Sequence, residues 1–151
     1  MLTEGNTAPD FQLHDSDGNI FSLKELEGKK VILYFYPKDD TSGCTLEAKD
    51  FSEQIDAFTQ RNAVVLGVSK DSEKSHQKFC GKYDLKIRLL SDESTEMMQS
   101  YGVWQEKKNY GRTYMGTVRT TFLINEEGII SKIWKKVTPD KHADQILEAI
   151  S

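Results

Sequence analysis

The chain has 151 residues, of which 37% are apolar and 29% charged, and its formal charge is -4. That length suits one domain able to bury a single core, and the composition is that of a globular protein rather than a disordered or membrane-embedded one. A net negative charge argues against nucleic acid, whose phosphates require a basic face, and no apolar run approaches the roughly 20 residues that span a bilayer.

Residues 11–14 and 20–23 flank Asp15-Ser-Asp17-Gly18-Asn19, a pattern that predicts a hairpin closed by a turn. The Asp-x-Asp-Gly pattern resembles part of a calcium loop but lacks the downstream glutamate, so the turn is preferred. Residues 31–36 (VILYFY) are continuously apolar and rich in branched and aromatic side chains, as a strand buried on both faces requires. A helix is expected to start near Ser42 or Gly43, with Cys44, Ala48, Phe51, Ile55 and Phe58 as one inward stripe. Residues 63–68 form a second buried strand. The next helical pattern covers residues 72–83, with His76, Phe79, Cys80 and Tyr83 along one face.

Short strands are predicted at residues 87–90 and 121–124, separated by a small helix near 93–101 that Gly102 ends. The basic stretch Lys107-Lys108-Asn-Tyr-Gly-Arg112 reads as a solvated loop. Glu126-Glu127-Gly128 turns the chain into a strand at 129–134. Thr138 and Pro139 read as an N-cap and first residue of a last helix, with Ala143, Ile146, Leu147 and Ile150 inward. Alternating strands and helices closed by a hairpin and helix predict an α/β protein: a thioredoxin-like sandwich with a mixed sheet, helices on both faces and an N-terminal hairpin, in one domain over residues 1–151. The first residues lack a basic and apolar leader pattern, so a cytosolic location is expected.

Two cysteines, Cys44 and Cys80, are too few for a disulfide framework. The histidines (His14, His76, His142) are scattered, and His76 with Cys80 supplies only two of the four ligands usual for structural zinc. Neither metal nor cofactor is expected. Cys44 stands in a helix's first turn, where N–H groups and the macrodipole favour an anion by about 0.3–2 kcal/mol. A free thiol of pKa about 8.5 is only ~3% ionised at pH 7, and full ionisation gains about 30-fold in rate. Cleavage of an O–O bond therefore requires further donors around the sulfur. Arg119, just before a buried strand, and Thr41 with the amides of Gly43 and Cys44 are candidates. On position alone, a nucleophile and an ordinary buried cysteine remain equally open.

Pro37-x-x-x-Thr41-x-x-Cys44 resembles the active-site signature of peroxiredoxins, and the wider run from Tyr34 to Ala48 resembles their Q-type subfamily, the bacterioferritin comigratory proteins. Gly5-x-x-Ala-Pro9-Asp-Phe, Tyr101-Gly-Val-Trp104, Glu106-Lys-Lys, Tyr110-Gly-Arg-Thr-Tyr-Met-Gly116 and Arg119-Thr-Thr-Phe-Leu-Ile124 extend the likeness over most of the chain. The resemblance implies a thioredoxin-dependent peroxidase acting on hydrogen peroxide and organic hydroperoxides, cytoplasmic and monomeric. Cys44 would be the peroxidatic cysteine. Thr41 would hydrogen-bond the peroxide and the sulfur, and Gly43 would contribute its amide to the same pocket. Arg119 would stabilise the thiolate, Pro37 would shield it, and Glu47 would orient the arginine. Ser42 replaces the family's usual proline and is expected to cap the helix. Lys49 stands where many members carry a resolving cysteine. Cys80, 36 positions after Cys44, resembles the resolving position of another branch of the subfamily, with local unwinding needed to reach Cys44 and Gly81 consistent with a weak helix there. A core residue on the Phe79 and Tyr83 stripe remains the other reading of Cys80.

Other readings remain. A one-cysteine peroxidase would use an external thiol, and a catalytically idle thioredoxin-like binding module would consume no peroxide. A general thiol–disulfide oxidoreductase would want Cys-x-x-Cys, but Thr45, Leu46 and Glu47 follow Cys44.

Overall fold

In a computed structural model that describes residues 2–150, a seven-stranded mixed sheet has the order β2-β1-β5-β4-β3-β8-β9. The two terminal positions of the predicted 1–151 domain lie outside the described residues. β1 (Gln12–Asp15) and β2 (Ile20–Ser22) form the predicted hairpin. The Asp15 carboxylate holds its turn by accepting from the amides of Asp17 (2.9 Å) and Asn19 (3.0 Å). β3 (Lys30–Phe35) runs parallel to β4 (Ala63–Ser69), and β4 runs parallel to β5 (Arg88–Ser91). β8 (Thr120–Ile124) lies antiparallel on the other side of β3, with Phe35 opposite Thr120, and β9 (Ile130–Trp134) closes that edge.

The period-2 pleat divides the core in two. Val31, Leu33 and Phe35 join Leu66, Val68, Phe122 and Ile124 on one face, under α4 (Glu96–Ser100). Ile32, Tyr34 and Tyr36 join Val65, Leu89 and Leu123 on the other. There α1 (Ser42–Glu53), α2 (Ile55–Gln60), α3 (Glu73–Tyr83) and α5 (His142–Ile150) pack, through Phe51, Phe58, Phe79 and Ile146. Helices thus cover both faces, as predicted. Gly67 is required where strand and ring meet: a Cβ there would stand 2.8 Å from both Tyr34 and Leu89.

Four local expectations need correction. The stripe from Cys44 to Phe58 is carried by two helices, because Gln54 leaves helical geometry and bonds back to Phe51 O at 3.2 Å; the turn brings Phe58 to 5.8 Å from Phe51. Ser42 is the first helical residue, not the cap; Thr41 is the cap residue, and its side chain makes no capping bond. α5 begins at His142 rather than beside Pro139, because Val137 N is tied to Arg119 O (2.9 Å) and Lys141 adopts a left-handed φ of 59°. Residues 107–112 are not a loop. They belong to a separate hairpin of β6 (Trp104–Asn109) and β7 (Arg112–Thr117), turned at Tyr110 and Gly111, both with positive φ. Among the described residues, no helix is long and apolar enough to cross a membrane.

Candidate active site

β3 leads directly into the site. Its last residues deliver Tyr36 and Pro37, the chain turns through Asp39 and Asp40, and α1 starts at Ser42. The first helical bond, Thr45 N to Thr41 O at 2.8 Å, leaves the amides of Ser42, Gly43 and Cys44 without intrahelical partners. Cys44 is 2% exposed and reduced. Antiparallel pairing places the start of β8 beside the end of β3, so Arg119 arrives next to α1.

The guanidinium of Arg119 is shared. Its Nη2 donates to Cys44 Sγ at 3.2 Å and its Nη1 to Glu47 Oε1 at 2.8 Å. A delocalised cation aimed at sulfur is a bond that a thiolate accepts far better than a thiol. Glu47 is 1% exposed, its second oxygen has no partner, and burial, against the pull of Arg119, pushes its carboxyl up to about 7. Burial alone would weaken the Arg119 charge, but Glu47 and Cys44 outweigh it and the guanidinium is held above its ordinary range.

Gly43 makes room for this arrangement. A Cβ at that position would lie 3.3 Å from Pro139 Cγ and 3.5 Å from Arg119 Nη2. The Thr41 hydroxyl donates to Lys38 O at 2.9 Å rather than to the sulfur, which leaves its lone pairs to accept from an incoming O–H. Pro37 is half-buried at the head of the turn. The β6/β7 hairpin also reaches this region: burial first, then the nearby Arg119 charge, holds the Lys107 ammonium below its ordinary range, and the Cys44 sulfur works in the opposite direction.

Cys80 is not part of this constellation. It sits half-buried on α3, which rests against β5, whereas Arg119 and the Cys44 sulfur sit at the head of β8. β8 and β5 are three strand positions apart, about 14 Å at ~4.8 Å per strand. Burial first, then the Asp39 carboxylate, pushes the Cys80 thiol up to about 11.

Sequence reasoning assigned no role to the polar residues between the two cysteines. Asp39 is buried and accepts from Tyr36 Oη (2.5 Å), Ser75 Oγ (2.8 Å) and His76 Nδ1 (2.7 Å), while its amide donates to Asp71 Oδ2 (2.8 Å). His76 Nε2 faces Leu90 O at 3.1 Å, so both ring nitrogens are engaged and neither is available to a metal. The one available signal was the fully buried histidine position on the α3 stripe, which demands polar partners.

The AhpC/TSA family model matches residues 5–133. The chain is 50% identical to the putative peroxiredoxin bcp of Coxiella burnetii over 143 residues, covering 95% of each, and 42% identical to the peroxiredoxin Bcp of Bacillus subtilis, covering 97% of this chain and 93% of that one. Among solved structures, a cysteine-to-serine variant of Xylella fastidiosa PrxQ superposes with a TM-score of 0.95 at 34% identity, covering 99% of this chain and 96% of that one. The Xanthomonas campestris bacterioferritin comigratory protein, studied for its alkyl peroxide reduction activity, gives 0.89 at 38% identity, covering 93% and 89%. With a helix-start cysteine under a shared guanidinium, and likeness along nearly its whole length, the chain belongs to the AhpC/TSA family, among its Q-type (Bcp) peroxiredoxins, and is a thiol peroxidase.

Proposed function

We propose that Cys44 is the peroxidatic cysteine and that it reduces hydrogen peroxide and organic hydroperoxides. The observation that carries this is the Arg119 guanidinium bridging Glu47 and the Cys44 sulfur at the open end of α1. The thiolate attacks the near peroxide oxygen, an S–O bond forms as the O–O bond breaks, and the departing alkoxide or hydroxide takes a proton from solvent to leave as alcohol or water. Arg119 and the free amides of α1 stabilise the charge that moves from sulfur to oxygen. Thr41 accepts from the peroxide O–H and fixes its direction, the Gly43 amide completes the pocket, and Pro37 shields the sulfur from bulk water. Glu47 holds the guanidinium in its two-pronged orientation.

The sulfenic acid on Cys44 then condenses with the Cys80 thiol, releasing water and forming a disulfide. Variants of the Xanthomonas campestris relative in which cysteine is replaced by serine concern two cysteines 36 positions apart, the same separation as Cys44 and Cys80 here, which supports the assignment. A disulfide needs Cα atoms within about 7 Å, so at least one of α1 and α3 unwinds locally. Unwinding also activates the incoming thiol: released from burial, Cys80 falls from about 11 toward the ordinary 9.0 and its thiolate fraction at neutral pH rises about a hundredfold. A dithiol reductant of the thioredoxin type restores both thiols as its own pair is oxidised, and the chain works as a cytoplasmic monomer.

Peptide mass mapping under non-reducing conditions after one equivalent of peroxide tests the cycle. The expected product is a bridge between Cys44 and Cys80, absent in Cys80→Ser. Recovery of wild type with Cys44 oxidised and Cys80 still free would contradict it and leave a one-cysteine peroxidase.

A further inference from the structure

Two polar tethers join the segment ahead of Cys44 to the helix that carries Cys80, and they differ in burial. In the first, Asp39 accepts from Ser75 and His76 near the start of α3, with the His76 and Asp39 side chains 0% and 4% exposed. In the second, Asp40 accepts from Tyr83 Oη at 2.6 Å and Lys82 Nζ at 2.8 Å at the end of α3, with Asp40 40% and Lys82 59% exposed. Lys49 Nζ lies 5.9 Å from the centre of the Tyr83 ring, so α1 also grips that residue. Cys80 falls between the two tethers, one turn beyond His76 and one turn before Tyr83.

The turn containing Cys80 is packed through Phe79 in the core and a Cys80 contact with Ser16, and it lies at the C-terminal end of α3. The amides of Asp84 and Leu85 both donate to Cys80 O, Asp84 adopts a left-handed φ of 51°, and Gly81 has open space where a side chain would be. Exposed ion pairs are weak and screened by salt, whereas opening a buried hydrogen-bonded pair leaves desolvated polar groups unpaired. The exposed tether therefore yields first.

We propose that Asp40, Lys49 and Tyr83 form a latch that keeps the Cys80 turn wound and sets the rate of disulfide closure, while the Asp39/His76 pair is the anchor about which the end of α3 opens. These are positioning residues, and the proposal rests on Cys80 being the resolving cysteine. Opening the latch exposes and activates Cys80. Keeping it closed prolongs the sulfenic acid and its exposure to a second peroxide.

Stopped-flow fluorescence after peroxide addition, with mass spectrometry of Cys44, tests this in wild type, Tyr83→Phe and Asp40→Asn at low and high salt. Both substitutions are at exposed or half-exposed positions, where the fold tolerates change. The resolution phase is expected to quicken roughly twofold to tenfold in both variants, with the fraction of Cys44 driven to sulfinic acid falling in proportion. In Tyr83→Phe the oxidation phase stays unchanged. Wild-type resolution accelerates with salt, and that response shrinks in Asp40→Asn, which removes the ion pair with Lys82. A bridge that forms at wild-type rate, or more slowly, in both variants overturns the latch and leaves the role of Cys80 intact. No bridge in wild type overturns both.

Discussion

Arg119 divides its guanidinium between sulfur and carboxylate, and the two halves are separable by substitution. Arg119→Ala removes the donor at 3.2 Å from Cys44, and loss of such a donor lowers rates by about 10²–10³; stopped-flow measurement of the second-order rate with hydrogen peroxide should show that drop. Glu47→Gln retains an acceptor for Arg119 Nη1 and should stay within about tenfold of wild type, whereas Glu47→Ala frees the guanidinium and falls by a further factor set by a lost charge-assisted bond, about 1.5–3 kcal/mol. Glu47 also carries a pH signature. Its folded value, about 7, lies above its ordinary 4.5, so between those limits the unfolded chain has released a proton that the folded chain still holds. This group's contribution to stability is present below pH 4.5 and declines as pH rises to 7. Thermal melts of Glu47→Gln should lack that decline. Cys80 behaves in the same sense at higher pH: what its thiol adds to a wound α3 is present below 9 and is lost as pH rises toward 11. Alkylation of Cys80 should therefore climb steadily across that window.

Elements place these residues, and their legibility in the sequence varied with how local the cause was. The buried run of β3 and the stripe of Cys44, Ala48 and Phe51 follow from spacing alone, so the helix-start cysteine was readable. Arg119 beside β3 was readable as a strand-adjacent cation. The Asp39/His76 pair was not, because it joins residues 37 apart whose only sequence trace is polarity on a buried face. The β6/β7 hairpin escaped because most of its positions face solvent and leave no alternation to read. Thr138 and Pro139 have the chemistry of a helix start, but the Val137 bond to Arg119 O ties the chain just before them. A turn at Asp140 and Lys141 delays the helix to His142, while Pro139 Cγ stands beside Gly43. The buried pair makes a strong prediction at this scale. His76→Ala removes one of the three side-chain partners of buried Asp39, a loss of about 1–3 kcal/mol, which denaturant unfolding should register directly.

At the scale of the molecule, the sheet order keeps the two thiols apart in the reduced fold. β8 brings Arg119 to Cys44 on one side of β3, while β4 and β5 carry α3 and Cys80 away on the other. On the proposed cycle, a bridge between the two thiols therefore requires local opening. The most direct measurement of the Cys44 assignment is trapping of sulfenic acid in Cys80→Ser after one equivalent of hydrogen peroxide, read by peptide mass spectrometry. The prediction is a trapped adduct on Cys44 in nearly every chain, formed fast with Arg119 present and slowly in the Arg119→Ala background. Peroxide left unconsumed, with Cys44 recovered as a free thiol, would contradict it.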